Sequence, residues 1–184
     1  MAQRILIVGS CAAGKSTLGA ALATRLALPL VHLDQHYWRP GWIEPSTEDW
    51  RAQVAGLVAE PRWVMDGNYG GTLDIRLPRA DRIVLLDQPR RLTLYRAVRR
   101  RVLRNRVDEL YGSPERITWP FLKWIWDYPA RGRRILLEAI AEYAPGTEFV
   151  RLRGPDEVTA WLAAQPESGE GLARKTAGTR RSSR

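Results

Sequence analysis

The chain has 184 residues with 29 Lys and Arg against 20 Asp and Glu, a formal net charge of +9, one Cys and two His. That length suits one domain with a proper core and leaves no room for a second. No apolar run approaches a membrane span, no charged-then-apolar leader opens the chain, and one Cys excludes an internal disulfide or a multi-Cys metal site, so a soluble, cytoplasmic protein is expected.

Arg4 to Val8 is a short apolar run and predicts a buried strand. It leads into Gly9-Ser10-Cys11-Ala12-Ala13-Gly14-Lys15-Ser16-Thr17, which fits the phosphate-binding pattern G-x-x-x-x-G-K-[ST]. The glycines let the backbone curl so that successive N–H groups point inward, and the following helix adds its positive end, so a nucleoside triphosphate finds donors and a favourable dipole together. Lys15 then serves the β- and γ-phosphates, and Ser16 offers its hydroxyl to Mg²⁺.

The helix from Ser16 to Leu26 stops before Pro29, and Leu30 to Leu33 predicts a second strand ending at Asp34. His32 and His36 flank this strand end, which favours packing and pocket-lining roles over a metal site. Trp38 and Trp42 surround the Arg39-Pro40-Gly41 turn and would wall a pocket, although ordinary core packing is expected for most of the eight Trp. Ser46, three residues before Asp49, caps a helix that buries Trp50, Val54, Leu57 and Val58.

Trp63 to Met65 and Arg82 to Leu86 predict two more strands, ending at Asp66 and Asp87. A helix over about Arg90 to Arg106 carries Leu92, Tyr95, Val98 and Val102 at helical spacing, leaving Arg96, Arg99, Arg100 and Arg104 on other faces. After the Gly112-Ser113-Pro114 break comes an aromatic segment, Trp119 to Tyr128. Pro129 separates it from a helix over Arg131 to Tyr143, and a strand at Glu148 to Leu152 and a helix at Pro155 to Ala164 close the pattern. Strands alternating with helices predict an α/β fold with a parallel sheet. The end of the chain, with Arg174, Lys175, Arg180, Arg181 and Arg184, is Gly/Ser/Thr-rich without apolar periodicity and predicts a disordered basic tail over 166–184.

In a parallel α/β sheet the ligand lies beyond the carboxyl ends of the strands, so Asp34, Asp66 and Asp87 are the informative carboxylates. Asp66 ends its strand as a carboxylate that organises Mg²⁺ does, and Asp87 either shares that pattern or caps the next helix. Asp34 is the candidate that orients or deprotonates an acceptor, the alternative being a turn cap. Charge on a transferring phosphoryl group needs neutralising, and Arg76, Arg96, Arg99, Arg100 and Arg104, with Arg131, Arg133 and Arg134 as a second source, are the candidates. The catalytic set is therefore Lys15, Asp34, Asp66, Arg76, Arg96, Arg100 and Arg133, with Ser16 and Asp66 for the metal.

The loop Gly9 to Thr17, His32-Leu33-Asp34, Asp66-Gly67-Asn68-Tyr69 with Thr72, Asp74, Ile75 and Arg76, Leu86 to Arg90 leading to Leu94-Tyr95-Arg96, and Phe121 to Trp126 together resemble the bacterial DNA topology modulation proteins. These are similar to adenylate kinase and shikimate kinase. The resemblance spans about Arg4 to Leu162. It implies a three-layer P-loop nucleoside triphosphate hydrolase fold with a five-stranded parallel sheet of order 2-3-1-4-5, ATP with Mg²⁺, and kinase-type residues. Residues 1–165 would form the kinase-like domain, with a helical lid at about 105–134. Asp66-Gly67-Asn68-Tyr69 lacks the Pro-Arg that follows Asp-Gly-Phe in adenylate kinases, which separates it from AMP-accepting members. The expected activity is transfer of the γ-phosphate of ATP to a small-molecule acceptor, a nucleotide or a hydroxyl compound. The alternative is a nucleotide-dependent nucleic-acid-binding regulator using the Arg-rich helix and tail; against it, the chain has no helix-turn-helix, zinc module or ribonucleoprotein motif. No N-K-x-D run supports a GTPase.

Overall fold

The computed structural model describes residues 2–103 and 118–168. Arg104, the Gly112-Ser113-Pro114 break, much of the expected lid and the basic residues of the tail lie outside the described residues. In chain order the elements are β1 (Arg4–Gly9), α1 (Lys15–Leu26), β2 (Leu30–His32), α2 (Leu33–Tyr37), α3 (Thr47–Ala59), β3 (Trp63–Asp66), α4 (Leu73–Arg76), β4 (Arg82–Leu86), α5 (Arg90–Leu103), α6 (Trp119–Asp127), α7 (Gly132–Tyr143), β5 (Glu148–Leu152) and α8 (Pro155–Ala163). The five strands form one parallel sheet of order β2-β3-β1-β4-β5.

A strand covered on both faces needs apolar residues at every position, and β1 supplies them, with Ile5, Leu6, Ile7 and Val8 all fully buried. Their side chains alternate between layers. Leu6 and Val8 join Trp50, Val54 and Val58 of α3 and Leu136 of α7 on one face. Ile5 and Ile7 join Leu18 and Leu22 of α1 on the other, where Val158, Trp161 and Leu162 of α8 also pack. Each fully buried side chain of this size contributes roughly 1.5–3 kcal/mol, so these two layers hold the site above them rigid.

The predicted strands appear with small shifts at their ends. β2 stops at His32 because Leu33, fully buried, opens α2. Ser46 does cap α3, accepting from the Asp49 N–H at 3.0 Å. The expected face of α5 is corrected. Tyr95 and Val98 are 62% and 46% exposed, and the residues turned inward are Thr93 and Ala97, one turn apart. Small side chains at this spacing let the helix sit close to its neighbours, which larger ones would push away. The aromatic segment folds as α6, capped by Thr118 Oγ1, and the Arg90 guanidinium lies 4.5 Å from the Trp126 ring centroid. Core packing of the tryptophans is also narrower than expected: Trp50 and Trp63 are buried, whereas Trp119, Trp124 and Trp126 are exposed. Past α8, Arg25 binds the Gln165 carbonyl at 2.6 Å and Glu167 at 3.2 Å, and the Ser168 N–H donates to the Arg25 carbonyl at 2.9 Å, so the last described residues pack against α1.

Candidate active site

The phosphate loop leaves β1 through backbone that side chains resist. Gly9 has φ 146°, and a Cβ there would stand 2.5 Å from the Leu86 carbonyl oxygen. Gly14, at φ 99°, turns the chain into α1. Cys11, Ala12, Ala13, Gly14, Lys15, Ser16 and Thr17 line a cleft of about 1250 Å³, while Gly9 and the buried Ser10 lie beneath it. Lys15 Nζ donates to the carbonyls of Gly9 at 3.1 Å and Ser10 at 2.9 Å, so its ammonium is held at the loop.

The loop is also tied to the end of β3. Asn68 Oδ1 accepts from the Gly9 N–H at 3.0 Å, and its Nδ2 donates to the Gly9 carbonyl at 2.6 Å. The sequence reading assigns Asn68 no role of its own. Its signal was an amide two residues past a strand-end carboxylate, in a chain whose loop needs anchoring. Asn68→Ala is expected to weaken ATP binding about tenfold, the worth of one or two lost hydrogen bonds. Thermal shift with ATP measures it, and unchanged affinity would mean the loop holds its shape unaided.

Asp66 is 3% exposed and sits where β1 and β2 both register with β3, opposite Ile7 and His32. Its Oδ1 lies 3.0 Å from His32 Nδ1, which gives that histidine a polar partner as well as a packing role. Asp66 Oδ2 is buried, and no partner for it occurs among the described residues, although Asp66 lines the cleft. Asp87 behaves differently. Its carboxylate takes Arg133 Nη1 at 3.0 and 3.1 Å and Arg151 at 2.5 and 2.8 Å, and it does not line the cleft. The geometry thus separates two strand-end aspartates that look alike in sequence: Asp87 is an ion-pair hub, and Asp66 is the one facing the loop.

Two expected catalytic arginines are corrected. Arg133 is engaged by Asp87 and stands outside the cleft. Arg76 is fully buried, donating Nε to Thr72 Oγ1 at 3.1 Å, Nη1 to the Gly67 carbonyl at 3.0 Å, and Nη2 to the carbonyls of Tyr69 at 3.0 Å and of Asn68. Burial pulls its pKa down to about 10, and it remains charged at neutral pH. The guanidinium braces the turn after β3, where Gly67 has φ 135° and Tyr69 has φ 30°, backbone a tyrosine adopts only when its surroundings impose it. Arg96, Arg99 and Arg100, by contrast, line the cleft beside the loop. Arg96 Nη1 is 3.5 Å from the Ala13 carbonyl and Arg100 Nη2 is 3.6 Å from Cys11 Sγ. Arg134 is a surface partner of Glu138 at 3.8 Å.

Asp34 lies in the first turn of α2 and lines the same cleft. Tyr69 Oη donates to its Oδ1 at 2.7 Å. Burial, reinforced by the charge of Asp34, pushes the Tyr69 phenol far above its usual range, so it stays a donor. Trp38, Trp42 and Glu44 complete this wall, and Tyr37, Tyr69 and Trp50 meet one another edge-on or tilted at centroid distances of 4.6 and 5.0 Å. Gln88, another residue the sequence reading passes over, is 4% exposed and lines the cleft, and neither of its amide atoms has a partner among the described residues.

No family model matches the chain. It is 28% identical over 146 residues to the uncharacterized protein YqaC of Bacillus subtilis (strain 168), which covers 78% of this chain and 82% of that protein. Among solved structures it is similar to a shikimate kinase from Acinetobacter baumannii in complex with shikimate, with TM-score 0.60 and 18% identity, covering 88% and 89% of the two chains. A shikimate kinase from Aquifex aeolicus matches with TM-score 0.54 and 16% identity over 88% of this chain and 94% of that one. A gluconokinase from Sinorhizobium meliloti 1021 matches with TM-score 0.51 and 16% identity over 99% and 98%. The fold of this chain is that of the P-loop kinases.

Proposed function

We propose that the chain is an ATP-dependent phosphotransferase that moves the γ-phosphoryl group to a hydroxyl of a small-molecule acceptor. One observation carries this reading: a single cleft brings together the phosphate loop with Lys15, three arginines of α5, and the Tyr69-held carboxylate of Asp34. The likeness in fold to shikimate kinase and gluconokinase supports it.

In this reading the loop N–H groups and Lys15 hold the β- and γ-phosphates, and Arg96, Arg99 and Arg100 offset charge that develops on the transferring group. Asp34 accepts the proton as the acceptor oxygen bonds to the γ-phosphorus. The bond from that phosphorus to the β–γ bridging oxygen breaks, and ADP leaves with the electron pair. Tyr69 keeps the Asp34 carboxylate turned to the acceptor. Ser16 and Asp66 fit Mg²⁺, because Asp66 presents a buried oxygen that has no partner among the described residues, and this ion needs few protein ligands when phosphates supply the rest. When bound, Mg²⁺ would neutralise the β- and γ-oxygens.

Asp34→Asn is expected to lower acceptor-dependent kcat by about 10²–10⁴-fold, the usual worth of a positioned base, while the ATP-induced thermal shift persists. ADP release over a panel of alcohols measures the first and a melt with ATP the second. Equal loss of both would assign Asp34 to the nucleotide instead. The nucleic-acid reading finds less support. Of the Arg-rich helix on which it rests, Arg96, Arg99 and Arg100 line the cleft, and the basic residues of the tail lie outside the described residues.

A further inference from the structure

The two ends of the cleft carry opposite charge. The sheet order explains why: β2, which delivers α2, stands two strands from β1 on one side, about 10 Å away at ordinary strand spacing. β4, from which α5 follows, adjoins β1 on the other side. Among the described residues lining the cleft, the basic side chains are Lys15 of the phosphate loop and Arg96, Arg99 and Arg100 of α5. The charged side chains contributed by α2 and the segment after it are Asp34 and Glu44, both carboxylates.

Between these carboxylates in the chain come two indoles that line the same cleft. Trp38 and Trp42 meet at a centroid distance of 5.2 Å and an interplanar angle of 71°, forming a corner rather than a stack. Tyr37 meets Trp38 nearly at a right angle, 87° at 4.9 Å, and its hydroxyl donates to Glu44 Oε2 at 3.1 Å, so the aromatic corner and the second carboxylate are fixed to each other. Trp42 holds a left-handed backbone, φ 64°, to reach this place. Faces of indole rings attract cations, and carboxylates beside them add to that attraction. An anionic acceptor would meet two like charges here, an arrangement that binding sites use to reject a ligand. A neutral polyol could stack on the indoles, yet it leaves the charge of Glu44 without a role, since Asp34 alone suffices as the base.

We infer that the acceptor is a small ammonium alcohol, whose positive charge sits in the corner of Trp38, Trp42 and Glu44 while its hydroxyl faces Asp34. This rests on the phosphotransferase reading and names the substrate class of that site.

The test uses the full chain with ATP and Mg²⁺ and alcohols matched at one position, ethanolamine, ethylene glycol and glycolate in one set and glucosamine and glucose in another, with choline as a further ammonium alcohol. Acceptor-dependent ADP release is measured for each, with ATP binding followed separately by thermal shift. The expected result is kcat/KM for an ammonium member at least about tenfold above its hydroxyl partner, and no turnover of carboxylates. Glu44→Gln should lower kcat/KM for the ammonium alcohol about tenfold more than for its hydroxyl partner, through KM. ATP binding with turnover confined to neutral or anionic alcohols, absence of turnover with every ammonium alcohol, or equal losses in the Glu44→Gln variant would each overturn the cationic acceptor and spare the kinase reading. Failure to bind ATP would overturn the kinase reading itself.

Discussion

Lys15→Ala is expected to lower ATP-dependent turnover by about 10²–10³-fold, as loss of one preorganised cationic donor does, with the melting temperature in the absence of ATP lowered by about 5 °C. The stability expectation follows from the contacts. Lys15 Nζ bonds only to two loop carbonyls among the described residues, and hydrogen bonds of that kind are worth about 1 kcal/mol each in net terms. The kinetic expectation follows from charge, because alanine leaves the loop N–H groups in place and removes the cation at the γ-phosphate. Turnover within twofold of wild type would remove the loop from the chemistry.

Arg76→Ala is expected to act on stability instead. The change takes the Arg76 donors from the Gly67 and Asn68 carbonyls, while the Tyr69 carbonyl keeps its bonds from the Thr72 N–H and hydroxyl, and it opens a cavity where a fully buried side chain stood, a combined loss of about 4 kcal/mol. For a unit of this size the melting temperature should fall by about 10 °C. Activity should fall with it, since Asn68 and Tyr69, which hold the phosphate loop and Asp34, hang from this brace. Arg76→Lys should recover little, because one ammonium cannot reproduce a planar fork with several donors. A melting temperature within about 2 °C of wild type for the alanine variant would show that the turn keeps its shape without the guanidinium.

These two cases mark how far the sequence can be read. The loop Gly9 to Thr17 was legible because a fixed spacing of Gly, Lys and Ser between a strand and a helix leaves few other uses. The five strands were legible as apolar runs alternating with helical stretches, whereas their order came only from the family resemblance. The arginines were not. An arginine after a strand reads the same whether it lines a cleft, as Arg96 and Arg100 do, or braces a set of backbone carbonyls, as Arg76 does. Asp66 and Asp87 posed the same problem, settled only by which neighbours β5 and α7 bring to Asp87. α5 misled in another way, because its exposed Tyr95 and Val98 carry the apolar spacing and its inward face is made of Thr93 and Ala97. The cleft wall of Trp38, Trp42 and Glu44 was half visible: the indoles stood out, but nothing in the sequence tied Glu44 to Tyr37.

Transfer from ATP to an alcohol is read out by following the isotopically labelled γ-phosphoryl group. With the full chain, Mg²⁺ and the ammonium alcohols above, the label is predicted to appear as a phosphate ester on the acceptor oxygen, and to do so far more slowly with Asp34→Asn. Label recovered solely as inorganic phosphate, at a rate indifferent to every added alcohol, would contradict the account and leave a nucleotide hydrolase in its place.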